Sequence, residues 1–204
     1  MDSRLRGNDR VGLLRARCIE NPKLKANRVR IIGGEWRSRY INFPDGRDLR
    51  PTPDRVRETL FNWLGQDLTG LRCLDLYAGS GALGFEAASR GAKRVLLVER
   101  ERVVCAALEA SRAALKAVQI DVVRADALEF LRADSHVYDV VFLDPPFADK
   151  PWDALFERLE ARLAPNATVY RESGEALPAP PGWDIHRQGR AGQVNYQLLK
   201  RTTS

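Results

Sequence analysis

Cysteine, histidine and methionine are scarce in this chain: three, two and one among 204 residues. Cys18, Cys73 and Cys105 are odd in number and show no metal-ligand spacing, while His136 and His186 lie far apart, so a metal site is not predicted. Cys73 falls in an apolar run and Cys105 in a helical pattern, and both read as packing residues. No apolar run approaches the roughly 18 residues of a membrane span. The N-terminus is basic but has no apolar signal core. A reduced, cytoplasmic protein is expected. The apolar and charged fractions, 44% and 29%, are those of an ordinary globular domain long enough for a substantial core.

Negative charge is under-represented in the first part of the chain. Residues 1–58 hold fifteen Lys/Arg against eight Asp/Glu, whereas the remainder holds eighteen against nineteen. A basic front end on a near-neutral body suits a polyanion partner, although scattered surface charge has the same composition.

The most informative stretch is Tyr138-Asp-Val-Val-Phe-Leu-Asp-Pro-Pro-Phe147. An apolar run without alternation, closed by a breaker, predicts a strand buried on both faces. Proline cannot donate to a ladder, so the strand must end at Asp144. Pro145 and Pro146 then hold the backbone extended, with free carbonyls, ahead of Phe147. A carboxylate and a rigid carbonyl are both acceptors. Together they can hold the two N–H groups of a nucleobase amine and favour its change toward tetrahedral geometry. Phe147 would give the base a face to stack on. Asp144 to Phe147 resemble the signature of amino-group methyltransferases acting on adenine, cytosine or guanine. The same four residues also suit a plain turn with Phe147 in the core.

Upstream, Leu71–Tyr77 reads as a buried strand, Ala78–Gly84 as a glycine loop, Ala82–Arg90 as a helix, and Val95–Val98 as a second strand closed by Glu99. This is a βαβ nucleoside-binding unit. Gly79, Gly81 and Gly84 satisfy the dinucleotide pattern, and Glu99 stands twenty residues after Gly79, so a dinucleotide oxidoreductase is a rival reading. Asp75, four residues before Gly79, instead gives the D-x-x-x-G-x-G form of S-adenosylmethionine enzymes. Glu99 can accept from both ribose hydroxyls. Asp126 can meet the adenine amine, with Ala127 among the neighbouring backbone groups, or can serve as the cap of the helix 127–133.

The remaining pattern alternates strand and helix and closes on a hairpin. A helix is expected over 102–117, strands over 121–124 and 167–171, and a helix over 152–163. Two strands, 183–187 and 193–199, flank a turn at 189–192 and must be antiparallel. Near the front, strands over 28–32 and 37–43 flank the turn signal Gly33-Gly34. Thr52 then suits a helix N-cap, with Pro53 at the first position, a face of Val56, Leu60, Trp63 and Leu64, and Gly65 at the end. Arg50, Arg55 and Arg57 cluster at that helix's start, where either surface charge or phosphate contact explains them. Residues 1–27 read as a basic arm, with a short helix near Val11–Ile19.

Arg30–Arg37, Leu49–Leu64, Leu74–Gly84, Asp144–Phe147 and Ala191–Val194 together resemble the RsmD family of bacterial ribosomal RNA guanine-N2 methyltransferases. The resemblance covers about residues 28–201. It implies an α/β, class I, Rossmann-like methyltransferase with a seven-stranded sheet, one strand of it antiparallel, and a small N-terminal β-hairpin extension. The implied organisation is an arm at 1–27, a hairpin and arginine-rich helix at 28–65, and a methyltransferase domain at 66–204. It implies Asp75, Tyr77, Gly79, Gly81, Glu99, Asp126 and Ala127 as contacts for S-adenosylmethionine. It further implies Asp144, Pro145, Pro146 and Phe147 as the target-base site, and Arg37, Arg50, Arg55 and Arg57 as RNA contacts. The implied substrate is RNA within the 30S particle or its precursors, met by a monomer. An adenine-N6 methyltransferase and a non-catalytic RNA-binding assembly factor are the further alternatives.

Overall fold

The structure, a computed structural model, describes residues 26–45, 51–146, 149 and 151–202. The basic arm, its expected helix, Cys18, Arg50 and Phe147 lie outside these described residues.

A seven-stranded sheet forms the middle layer. Its strands are β3 (Arg72–Asp75), β4 (Arg94–Glu99), β5 (Ile120–Arg124), β6 (Tyr138–Leu143), β7 (Leu163–Ser173), β8 (Trp183–Ala191) and β9 (Val194–Arg201), in the order β5-β4-β3-β6-β7-β9-β8. β5 through β7 are parallel, and β9 pairs antiparallel with both β7 and β8. The single antiparallel strand is therefore as expected, but it lies one place in from the edge. The chain winds outward from β3 to β5 and then crosses to β6 on the other side. Between β3 and β6 lies the switch point where ligands bind in such sheets.

Two helical layers cover the sheet. On one face α1 (Asp54–Leu64), α2 (Ala82–Ser89) and α3 (Arg102–Leu115) share a core with the two-stranded hairpin β1 (Ala26–Arg30) and β2 (Tyr40–Pro44). Val29, Ile41 and Phe43 of the hairpin, Val56, Leu60 and Phe61 of α1, and Phe85, Leu97 and Leu108 belong to one continuous apolar cluster. The opposite face carries α4 (Ala127–Ala133) and α5 (Trp152–Leu159), with Leu131, Leu155, Phe156 and Trp183 in its cluster. Among the described residues no helix is long and apolar enough to cross a membrane.

Several boundaries differ from expectation for local reasons. Gly33-Gly34 is no tight hairpin turn, because this stretch is bonded to α2: Ile32 N–H donates to Glu86 (2.9 Å), and Glu35 N–H to the Ser89 carbonyl (2.7 Å). β1 accordingly ends at Arg30, two residues short of expectation, and β2 begins at Tyr40, three residues late, while the pairing extends outward to Ala26 and Pro44. β8 runs on to Ala191, through most of the expected turn at 189–192, because Gly189 lies under Tyr196. A Cβ there would sit 2.5 Å from that ring, so the glycine permits close packing within a strand. α3 stops at Leu115, with Lys116 left-handed at φ 54°. α5 stops at Leu159, giving way to a 3-10 turn (Glu160–Arg162) and a β7 longer than foreseen. Cys73 and Cys105 are buried free thiols, as expected of packing residues.

Candidate active site

Helix α1 starts at Asp54, and Thr52 does not cap it. The Thr52 hydroxyl instead donates to Glu172 on β7 across 3.1 Å. The reason is that Pro53 supplies the carbonyl for Val56 N–H and Arg57 N–H, leaving the threonine side chain free to turn to the sheet. Gly65 does close the helix.

Arg57 requires a correction. Its side chain is 1% exposed and its guanidinium is fully engaged. It donates to Glu86 (3.2 Å), Asp54 (2.5 Å), the Thr52 carbonyl (3.1 Å) and the Arg30 carbonyl (2.8 Å). A buried cation with four partners cannot offer itself to a phosphate. Arg57 is the bolt between hairpin, α1 and α2, where Glu86 also holds Arg90 at 2.8 Å. Arg37 and Arg55 are exposed, as an RNA contact needs to be.

The expected cofactor residues gather at the carboxyl ends of β3, β4 and β5, which are adjacent. Asp75 ends β3, is 2% exposed, and accepts from Gly84 N–H at 3.1 Å. Gly81 precedes α2 in the left-handed region at φ 78°. A Cβ there would lie 2.7 Å from Leu108 and 2.8 Å from the Phe85 ring. Glu99 ends β4 half-exposed, accepting from Gly79 N–H (3.1 Å) and Glu101 N–H (2.8 Å). Asp126 follows β5 and caps α4, taking Leu128 N–H (2.9 Å) and Glu129 N–H (3.2 Å) on one oxygen. Half-buried Tyr77 feels the Asp126 charge, and its phenol is pushed well up, mainly by burial.

This donor set decides between the two nucleoside-cofactor readings. A dinucleotide pyrophosphate needs the free amides at the start of α2. Here Asp75 already occupies Gly84 N–H, and the Ser80 hydroxyl occupies Ala82 N–H at 3.3 Å. A carboxylate therefore already holds one of those amides. The site fits an adenosyl cofactor that is cationic and carries no phosphate.

Asp144 follows β6 directly and is half-buried, Pro145 is buried, and Pro146 is exposed. The switch point therefore has Asp75 on one side and Asp144 on the other. Burial, then the charges of Glu172 and Asp75, hold the Asp144 carboxyl well above the usual carboxylate range. Glu172 is likewise raised by burial, against the stabilising hydroxyls of Tyr170 and Thr52. Sequence reasoning overlooked Glu172 and Tyr170, and gave Thr52 a capping role instead. The available signal was an acid near the end of a buried strand, a place where an unneeded charge is costly.

Asp75 is raised to about 7, chiefly by burial, then by the charges of Glu99 and Glu172, against the amides of Gly84 and Tyr77. The folded chain thus binds this proton more tightly than the unfolded chain does. Its contribution to stability is full below about pH 4 and is lost as pH rises through about 7. Asp75→Asn keeps an acceptor for Gly84 N–H and abolishes the titration. The variant is expected to gain on the natural protein in thermal midpoint between about pH 4 and pH 8. A constant difference across that range would mean that the carboxyl titrates normally.

Fold and site together define a class I S-adenosylmethionine-dependent methyltransferase. A family described as Conserved hypothetical protein 95 matches residues 29–200. Ribosomal RNA small subunit methyltransferase D of Escherichia coli K12 is 45% identical over 181 residues, spanning 86% of this chain and 91% of that protein. The Haemophilus influenzae protein of the same name is 40% identical over 192 residues, 89% of this chain and 98% of that one. Among solved structures, a putative methyltransferase from Escherichia coli, yhhF, superposes with a TM-score of 0.79 at 43% identity, over 87% of this chain and 100% of the other. The 16S rRNA N2 methyltransferase RsmC of Thermus thermophilus, solved with AdoMet and guanosine, shares the fold at a TM-score of 0.68 and 22% identity, over 89% of this chain and 52% of its own. The chain belongs to the Conserved hypothetical protein 95 family, alongside the small-subunit ribosomal RNA methyltransferases D.

Proposed function

We propose that the protein methylates the N2 amine of a guanine in small-subunit ribosomal RNA, with S-adenosylmethionine as methyl donor. The observation that carries this reading is the placement of Asp144 and Pro145 beside the switch point, facing the cofactor acids across it. The names of the relatives at 40–45% identity supply the RNA.

S-adenosylmethionine, when bound, supplies a methyl group already activated on a sulfonium. Glu99 holds the ribose, Asp126 and the Ala127 backbone meet the adenine, and Tyr77 with Gly79 and Gly81 shapes the cleft. The target guanine leaves its stack, at a cost of a few kcal/mol, to reach the pocket. Asp144 and the Pro145 carbonyl accept from its amine and aim the nitrogen lone pair, with Pro146 stiffening the turn and Phe147 offering a stacking face. Holding both reactants in line supplies much of the rate. Arg37, Arg50 and Arg55 contact phosphates. The substrate is RNA in an assembled or assembling 30S particle, bound by one copy of the chain in the cytoplasm. Residues 28–65 act as the RNA-facing module, 66–204 as the catalytic domain, and 1–27 as an arm without an assigned role.

The test is methyl transfer from labelled S-adenosylmethionine to unmethylated small subunits, naked ribosomal RNA and duplex DNA, followed by digestion to nucleosides. Label in N2-methylguanosine from subunits is expected. Label in N6-methyladenine would keep the chemistry and overturn the substrate. No transfer despite bound cofactor would overturn the catalytic reading.

A further inference from the structure

Asp144 does not stand alone on its face of the sheet. β6 and β7 are parallel, with Phe142 opposite Tyr170 and Leu143 opposite Arg171. Phe142 and Tyr170 meet edge to face, ring centroids 6.4 Å apart, in the same core cluster. Side chains alternate along a strand, so the groups two residues on, Asp144 and Glu172, emerge on that same face at neighbouring positions. Glu172 is 3% exposed. One of its oxygens accepts from two hydroxyls, Tyr170 at 2.8 Å and Thr52 at 3.1 Å.

We propose that Glu172 is a positioning residue of the target-amine site, acting through Asp144 as the second carboxylate of a pair that takes up the proton the amine releases. The inference rests on the amine-methylation reading above. The step balances as follows. The amine nitrogen forms a bond to the methyl carbon while the carbon–sulfur bond breaks, leaving a neutral thioether. The nitrogen then carries one proton too many. Ionised Asp144 accepts it and becomes a neutral acid beside ionised Glu172. An unassisted aspartate is a weak base for this purpose, and a fixed neighbouring charge in a dry site strengthens it.

The surroundings support this division of labour. Two hydroxyl donors favour the charged form of Glu172, whereas no such pair is seen on Asp144 among the described residues. The proton is therefore directed to Asp144. Glu172 is the largest charge acting on Asp144, followed by Asp75. Tyr170 is in turn held up by burial and then by Glu172, Asp144 and Tyr196, so it donates its hydrogen bond and stays neutral. Among the described residues no lysine or arginine offsets these acids. Arg57, on the helix after Thr52, is committed to the Thr52 carbonyl, Glu86 and Asp54. Arg171 emerges on the opposite side of β7 and is held by Gln197 and the Pro178 carbonyl.

The experiment compares the full chain with Glu172→Gln, which is nearly isosteric and still accepts from Tyr170 and Thr52. Titration of the Asp144 carboxyl is followed by carbon-13 NMR, and the pH dependence of kcat is measured alongside. The Asp144 midpoint and the acidic limb of kcat are both expected to fall by at least about one pH unit. On the high-pH plateau kcat should fall about tenfold, with KM for the cofactor within about twofold. Tyr170→Phe, which keeps the ring and removes one donor to Glu172, should move Asp144 in the same direction. It is the substitute should Glu172→Gln fail to fold. An unmoved Asp144 midpoint in a folded variant overturns the pairing. Because the NMR titration needs no substrate, a shifted midpoint in a protein that methylates another base would leave the pair standing and remove only the guanine reading.

Discussion

Replacing Asp144 by alanine is expected to slow methyl transfer about a thousand-fold while leaving the dissociation constant for S-adenosylmethionine within about twofold. The two effects separate because the groups are on different strands. The residues proposed for the cofactor lie at the ends of β3, β4 and β5, whereas Asp144 follows β6. In the proposed mechanism alanine removes the acceptor that orients the amine and the base that takes its proton, and leaves the proposed ribose and adenine contacts intact. Asp144→Asn retains an acceptor oxygen but no base, so its rate should lie between the two. Single-turnover transfer and cofactor titration by calorimetry check both numbers. An alanine variant with most of its turnover would remove Asp144 from the chemistry.

The second large effect is on stability. Arg57→Ala should lower it by about 3–5 kcal/mol, because it strands a buried carboxylate. For a chain of this size each kcal/mol moves the thermal midpoint by roughly 2–4 °C, so a loss of about 10 °C is expected. Glu86 is fully buried and would keep only Arg90 and the Ile32 N–H, while the Thr52 and Arg30 carbonyls would lose their donor. Joint replacement of Arg57 and Glu86 by apolar residues of similar volume should cost much less than either change alone. The exposed arginines give the contrast. Reversing the charge at Arg37 and Arg55 should shift the midpoint by no more than about 1 °C, yet weaken RNA binding and flatten its salt dependence. A small effect at Arg57 with a large one on RNA would restore that residue to the interface.

The case of Arg57 shows what kind of signal was available and passed over. Arg50, Arg55 and Arg57 look alike as composition. Helical spacing distinguishes them, since 57, 60, 61 and 64 are the i, i+3, i+4 and i+7 positions of one face. That face proved to be the buried one, with Leu60 and Phe61 fully covered. What periodicity could not supply was the partner: Glu86 lies 29 residues away on another helix. Asp126 illustrates the opposite situation. Its capping role was legible because a cap bonds to amides two and three residues ahead.

The sequence by itself determined the buried strand that stops at Asp144, the glycine loop after Asp75, the acid after the second strand and the closing hairpin. Each depends on contacts within a few residues: a proline without a donor, glycine at positive φ, an apolar run ended by a charge. The tertiary structure alone decided the order β5-β4-β3-β6-β7-β9-β8, the place of β9 inside the edge, and the meeting of Glu172 with Tyr170 and Thr52, where its charge acts on Asp144. Those relations join residues as far as 120 positions apart. They are set by which faces must bury one another and in which register, and local pattern carries no record of that choice.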